Sequence, residues 1–262
     1  MVAPVGFEFD RVVDAQKFES CNVWYILRNP KGASDAVGEH SILFGEHVVE
    51  KIMSMNLLDY HVDDVKQSDL LSLVKAMATI VRNERAKDPQ VDFVFNACSS
   101  TKTAQYAATL VAGWCPSPVK LLYLRPIEQI TLMDIISNRN KIDDDIRQRF
   151  LEHGECHSPF EAEYFPVMPF VTFTPAERAI LIHLAKVHSV ETASSLVKII
   201  PVNIKKPQQK DLVKVGWSIK ALERIHLVTS KKSKQFRIVN ITFAGEIVAA
   251  ALEMLFSPES DK

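Results

Sequence analysis

Two glycine signatures are missing from the 262 residues: no GxGxxG and no GxxxxGK[ST] occurs. Their absence removes the dinucleotide fingerprint and the P-loop as explanations of nucleotide chemistry. Cysteine is scarce, and Cys21, Cys98, Cys115 and Cys156 show no CxxC spacing. That predicts reduced, mostly buried thiols and a cytoplasmic location. No apolar run approaches the roughly 18–20 residues of a membrane helix, so no membrane partner is expected. The segment MVAPVGFEFD lacks a basic region followed by an apolar core, which predicts no signal peptide.

The composition that remains, 47% hydrophobic and 24% charged, is that of a folded globular protein. A net charge of −1 hides an asymmetry. Residues 1–166 carry 17 Lys+Arg against 24 Asp+Glu, and residues 167–262 carry 14 against 8. Two domains with different partners follow from such a split.

The first half alternates between short apolar runs and helical periods. Strands are expected at 2–5, at Val23–Leu27, at Leu58–Val62, at Val91–Phe95 and at Val119–Leu124. Helices are expected at 34–55, 68–86 and 101–113, with Ser68 or Asp69 capping the second and Leu70, Leu71, Val74, Met77, Ala78 and Val81 on its apolar side. Continuous apolar strands separated by helices imply a parallel sheet covered on both faces. Residues 1–126 therefore read as an α/β, Rossmann-like domain.

Residues 127–172 break the pattern. They hold Pro159, Pro166, Pro169 and Pro175 nearby and many aromatics, and they read as an ordered connecting region. In 173–258 the grammar changes. Thr174-Pro175-Ala176-Glu177 is a helix start. Helices are expected to about 188, at 191–199 and at 208–226, followed by a basic hairpin and a last helix at 244–256 that serves as a core or dimer helix. Three helices and a hairpin describe a C-terminal winged helix-turn-helix.

On the third of these helices, Lys210, Lys214, Trp217, Ala221 and Arg224 fall on one face at about 100° per residue, with Leu212, Val215, Ile219 and Leu222 opposite. With Lys205, Lys206, Lys220, Lys231, Lys232, Lys234 and Arg237, the face and hairpin form a surface for the phosphates of double-stranded DNA. The plainer reading, a solvated lysine face, explains the helix alone but not its coincidence with a basic hairpin and a basic domain.

The turn after the fourth strand, NACSSTK, places Ser99, Ser100, Thr101 and Lys102 where a strand becomes a helix. In an open parallel sheet, ligands bind outside the carboxyl ends of the strands. Hydroxyls and free N–H groups there suit an anion, although helix capping by one of the hydroxyls accounts equally well for their presence. If the first and fourth strands are neighbours, in the order 3-2-1-4-5, Gly6, Phe7, Glu8 and Asp10 border the same crevice. Asp10 is then expected to cap the following helix. His153, Cys156 and His157 have zinc-ligand chemistry but no evident fourth ligand, so no metal and no resident cofactor is expected.

The segments APVGFEFDRVVDAQKF…VWYILRNP and VDFVFNACSSTKTAQYAATLVA resemble the CARF domain (CRISPR-associated Rossmann fold), most closely the archaeal CARF-like regulators with a C-terminal winged helix. The resemblance implies a homodimer whose two-fold cleft takes a small anionic, nucleotide-like effector, cyclic oligoadenylate in the CRISPR-linked members. Gly6, Phe7, Ser99, Ser100, Thr101 and Lys102 match the family's cleft positions, with Ser99 and Ser100 standing where the family has glycine. It implies a ligand-responsive transcription regulator. Two alternatives remain: a ring nuclease that cleaves its own ligand, and an interaction scaffold that binds no DNA. An enzyme is the less favoured reading, because no histidine or carboxylate pair is placed by the sequence beside Lys102.

Overall fold

In a computed structural model, residues 1–31, 36–55, 59–98, 101–127, 144–165, 167, 172–191, 193–199, 209–233 and 236–256 are described. The chain forms two compact units, Met1–Met168 and Pro169–Lys262.

The first unit is built on a six-stranded sheet with strands β1 (Val2–Pro4), β2 (Val23–Arg28), β3 (Asp59–Asp64), β4 (Phe93–Asn96), β5 (Val119–Pro126) and β6 (Phe160–Phe165). Their order is β3-β2-β1-β4-β5-β6. The first five are parallel, and β6 runs antiparallel to β5. Mixed α/β architecture with a mostly parallel, Rossmann-like sheet follows. β4 is buried at every position, which is why its sequence is apolar without alternation. β3 lies at one edge and carries Asp59, Asp63 and Asp64, charges that suit an unpaired edge.

Helices α1 (Asp10–Val13), α2 (Ala36–Ser54), α3 (Leu70–Lys87), α4 (Lys102–Trp114) and α5 (Asp144–His153) connect these strands. Asp69 caps α3 by accepting from the Leu71 and Ser72 N–H groups at 3.1 and 3.2 Å. The buried stripe of α3 is Leu73, Val74, Met77, Ala78, Ile80 and Val81. Leu70 and Leu71, expected on that stripe, sit in the first turn and are half-buried. The core gathers Ala3, Val5, Trp24, Ile26, Val48, Ile52, Leu122 and Leu124.

Two features depart from expectation within 127–172. Phe160–Phe165 is a sheet strand rather than a connector: it pairs antiparallel with β5 along its whole length, and Phe165 stacks on the Tyr123 ring at 5.1 Å. The second is Phe150, which is buried and meets the Phe44 ring edge-on at 5.4 Å.

The second unit contains α6 (Pro175–Val187), β7 (Ser189–Val190), α7 (Ala193–Val197), α8 (Gln209–Arg224), β8 (Val228–Ser233), β9 (Phe236–Ile241) and α9 (Phe243–Phe256). Its strands form an antiparallel sheet in the order β7-β9-β8. Thr174 and Glu177 make a reciprocal capping box with Pro175 at the first helical position, the arrangement that starts a helix most firmly. Ile180, Leu181, Leu184, Val215, Ile219, Leu222, Val239 and Leu252 are buried. α9 packs against α6 through a nearly all-apolar face. Gly245 lets α9 approach the hairpin, since a Cβ there would lie 2.1 Å from the Leu227 carbonyl oxygen. Among the described residues, no helix is long and apolar enough to cross a membrane.

Candidate functional site

β1 and β4 are adjacent, and the connections run to opposite sides of them: β1 leads outward toward β2 and β3, and β4 toward β5. This is the switch point of the sheet, where the loops leaving two neighbouring strands part and open a crevice. The described residues there are Val5–Phe9 on one side and Ala97, Cys98 and Thr101 on the other.

The first loop is held from within. The Val5 N–H bonds the Leu27 carbonyl at 2.8 Å. Gly6 is buried, and half-buried Phe7 meets the Phe44 ring edge-on at 6.4 Å. Glu8 then pairs as an isolated bridge with Gly154, and the Glu155 N–H donates to the Phe7 carbonyl at 3.1 Å. Gly154 has φ +85°, and a Cβ there would stand 2.1 Å from the Phe7 oxygen. Only glycine takes that conformation at that distance without strain. The segment after α5 therefore returns to clasp the loop after β1.

Glu8 and Arg11 are both buried and form an ion pair at 3.0 Å. Arg11 Nη1 also donates to the Cys98 carbonyl at 3.1 Å, and Nη2 to the Tyr123 hydroxyl at 3.4 Å. Asn96 closes the connection: its Nδ2 donates to the Arg11 carbonyl at 3.1 Å, and its Oδ1 accepts from the Cys98 N–H at 3.1 Å. One guanidinium and one amide thus stitch the loop after β1 to the loop after β4. Burial raises the Glu8 carboxyl to about 7 against the opposing pull of Arg11. Burial also pushes the Cys98 and Cys156 thiols up to about 12, so neither is a nucleophile at neutral pH.

Asp10 does not cap α1. It is the first helical residue, and Phe9 occupies the cap position. Its carboxylate meets His153 Nδ1 at 3.0 Å. A cavity of about 270 Å³ opens there, lined by Asp10, Arg149, His153, His157 and Ser158. Cys156, weighed with the two histidines as a metal ligand, is buried beside Glu8. Among the described residues no group of three metal-ligating side chains is gathered.

In the second loop, Ser99 and Ser100 lie outside the described residues. Thr101 is the N-cap of α4: its Oγ1 accepts from the Ala104 N–H at 3.2 Å and donates to the Gln67 carbonyl at 2.7 Å. Buried Gln67 in turn reaches the Leu27 and Val65 carbonyls, both at 3.1 Å, and its N–H bonds Asn29 Oδ1 at 2.8 Å. Lys102 is the first residue of α4 and is exposed. A cation at a helix N-terminus opposes the macrodipole, so its place there is not explained by the stability of the helix.

Arg11, Asn96, Asn29 and Gln67 escape a reading by motif. Asn29, Gln67 and Asn96 have position as their signal, at or just beyond the carboxyl ends of β2, β3 and β4, whereas Arg11 lies inside α1.

In the second unit, α8 buries Asp211, Val215, Ser218, Ile219 and Leu222 and exposes Lys214, Trp217, Lys220 and Arg224. Leu212, expected on the apolar side, is 42% exposed. It lies at the margin of the stripe, and Asp211 and Ser218 take the inner positions instead. Lys220 Nζ stands 5.9 Å from the Trp217 ring. Glu223 fastens the helix to β8 by accepting from the Ser230 N–H and hydroxyl at 3.2 and 2.8 Å. Lys231 is exposed on β8. Lys205, Lys206 and Lys234 lie outside the described residues, as do the side chains of Lys210, Lys232 and Arg237.

Residues 1–129 match the protein family described as "HFX_2341_N:-like, N-terminal". No curated protein matches the chain. Among solved structures, Enterococcus italicus Csm6 bound to cyclic hexa-2'-fluoro-hexa-dAMP is similar at 12% identity and a TM-score of 0.44, over 86% of this chain and 55% of that one. Can2 from Sulfobacillus thermosulfidooxidans in complex with cyclic tetra-adenylate is similar at 11% identity and a TM-score of 0.33, over 97% of this chain and 62% of that one. The chain thus spans less than two thirds of the length of either structure.

Proposed function

We propose that the chain is a homodimeric, ligand-responsive DNA-binding regulator. In this reading a CARF-type first domain takes a nucleotide-like anion, such as cyclic oligoadenylate, and a C-terminal winged helix takes double-stranded DNA in the cytoplasm. The observation that carries the reading is the adjacency of β1 and β4, with Gly6 and Phe7 on one loop and Thr101 and Lys102 on the other. Lys102 supplies the positive charge that a phosphate at the α4 N-terminus requires. The exposed Lys214, Lys220 and Arg224 of α8 supply the same chemistry to a DNA backbone. A two-fold dimer would present two such helices to a palindromic site.

Isothermal titration with cyclic tetra- and hexa-adenylate tests the first half. One ring bound per dimer, with binding lost in Lys102→Ala, is the expected result. Absence of heat with either ring removes cyclic oligoadenylate as the effector. For the second half, affinity for duplex DNA is expected to fall steeply with salt. Weak binding indifferent to salt would instead favour the interaction scaffold.

A second reading, cleavage of the bound ring, has one observation in its favour. Asp10 holds His153 Nδ1 at 3.0 Å beside an open cavity, the arrangement that orients an imidazole as a general base. The 2′-oxygen of the ring would bond to the neighbouring phosphorus as the P–O5′ bond breaks. Its proton would pass to His153, and a proton would be returned to the departing 5′-oxygen. A 2′,3′-cyclic phosphate and a 5′-hydroxyl would result. Chromatography of the ring after incubation with the protein should then show linear fragments, absent with His153→Ala. An intact ring ends this reading.

A further inference from the structure

The end of α5 and the segment after it carry two histidines held in the same way. His153 Nδ1 donates to Asp10 Oδ2 at 3.0 Å, and His157 Nδ1 donates to the Ser158 carbonyl oxygen at 2.8 Å. An ionised carboxylate and a carbonyl only accept, so both contacts place a hydrogen on Nδ1. Nε2 is then the atom through which each ring takes up or gives a proton. Glu152 Oε2 lies 3.8 Å from His153 Nε2, past hydrogen-bond reach.

Both histidines line the cavity of about 270 Å³, together with Asp10, Arg149 and Ser158. Their ring centroids are 6.1 Å apart and the rings are tilted by 60°, so they do not stack on each other. At that spacing both can reach oxygens of one phosphate, since a charge-assisted hydrogen bond is about 2.7–2.9 Å long. Arg149 is exposed and stands four residues before His153 on α5, which puts the two on one side of the helix. Its guanidinium is a permanent positive charge of the shape that phosphate oxygens accept.

The cluster thus holds two proton-exchanging groups and a cation but no activated thiol, because burial pushes the adjacent Cys156 up to about 12. A substrate that brings its own nucleophile completes such a site. A ribonucleotide does so, with a 2′-hydroxyl beside its 3′-phosphodiester.

Resting on the reading of His153 as a general base above, we propose that this cavity cleaves the 3′–5′ phosphodiesters of ribonucleotides, in a ring or in a linear strand, with His157 as the general acid. His153 takes the proton of the 2′-hydroxyl as that oxygen bonds to phosphorus. Protonated His157 gives a proton to the 5′-oxygen as the P–O5′ bond breaks, and Arg149 holds the charged phosphoryl oxygens. A 2′,3′-cyclic phosphate and a 5′-hydroxyl leave, and a proton passed from His153 to His157 through water restores both rings.

The test incubates the full-length protein with cyclic tetra-adenylate, with linear hexa-adenylate RNA and with adenosine 3′-(4-nitrophenyl phosphate), whose leaving group departs without a proton. His157→Ala is expected to slow cleavage of ring or strand about a hundredfold or more, yet to release nitrophenolate at close to the rate of the unchanged protein. His153→Ala should lose all three reactions. Circular dichroism melting checks that both variants keep the fold. A strand cut beside an intact ring supports the proposal with linear RNA as the substrate, and a ring cut beside an intact strand supports it with the ring. Ring and strand both intact overturn the general-base reading and the proposal together. Cleavage that His157→Ala leaves unchanged, or slows equally with the nitrophenyl ester, overturns the proposal while His153 keeps its role. Cleavage of hexa-deoxyadenylate would assign the attack to a group of the protein, such as the Ser158 hydroxyl, and would overturn it as well.

Discussion

Cationic side chains are treated in opposite ways in the two units. Arg11, in the acidic first unit, is buried and spends its guanidinium on Glu8, Cys98 and Tyr123. Lys214, Lys220 and Arg224, in the basic second unit, face outward from α8. A cation satisfied by its own fold positions loops, and a cation left at the surface is available to a phosphate. Residue type does not separate these roles, but burial and partners do. Lys102 belongs with the second group although it lies in the first unit.

Arg11→Ala gives the contrast its largest expected effect. It leaves Glu8 buried without its partner and unties the two switch-point loops, at a cost of about 3–5 kcal/mol by urea unfolding. Lys220→Ala should change stability by no more than about 0.5 kcal/mol. Instead it should lower the slope of DNA affinity against salt by about one unit. Equal stability losses in the two variants would erase the distinction.

The next effect is a dependence on pH. The Glu8 carboxyl is raised from its ordinary value to about 7 by burial, so the folded state holds a proton that the unfolded state has released. Stability from this group is full below about pH 4.5 and falls as pH rises to about 7, by roughly 3 kcal/mol. Burial raises Asp10 and Glu155 as well, and they add in the same sense. Glu8→Gln should flatten the profile between those pH values even as it lowers stability overall. An unchanged slope would place the titration elsewhere.

Gly154→Ala is expected to cost about 1–3 kcal/mol, because φ +85° and the nearby Phe7 carbonyl leave no room for a Cβ. A melting curve like that of the unchanged protein would show that the clasp after α5 yields easily. The smallest effect has the opposite sign. Lys102→Glu should stabilise α4 by about 0.3–1 kcal/mol through the helix dipole while abolishing binding of an anionic ligand. Loss of stability in that variant would mean that Lys102 serves the fold.

Sequence legibility followed the distance between partners. The Thr174–Glu177 capping box and the Asp69 cap are decided within four residues, and both are readable as local chemistry. The strand order was legible as a condition, since apolar strands alternating with helices favour it. The stitching of the site was not. Arg11 reaches Cys98 across 87 positions, and His153 reaches Asp10 across 143. Nothing in a window around either residue announces its partner. The exchange of Leu212 for Asp211 on the inner side of α8 has a different cause: an ideal helical wheel sorts residues by angle, whereas the margin of a stripe is settled by what packs there.

β6 sets the path by which an event in the crevice can leave the first unit along the chain. Because β6 is antiparallel to β5, Phe160 lies beside Pro126 and Phe165 beside Leu121. The backbone therefore departs from the edge of the sheet remote from the switch point. Six residues of strand span about 20 Å. The ligand position proposed above would lie toward one end of this strand, and the outgoing chain leaves from the other. All six residues of this exit pair with β5, so the chain leaves the sheet as a hydrogen-bonded ribbon rather than as a slack tether.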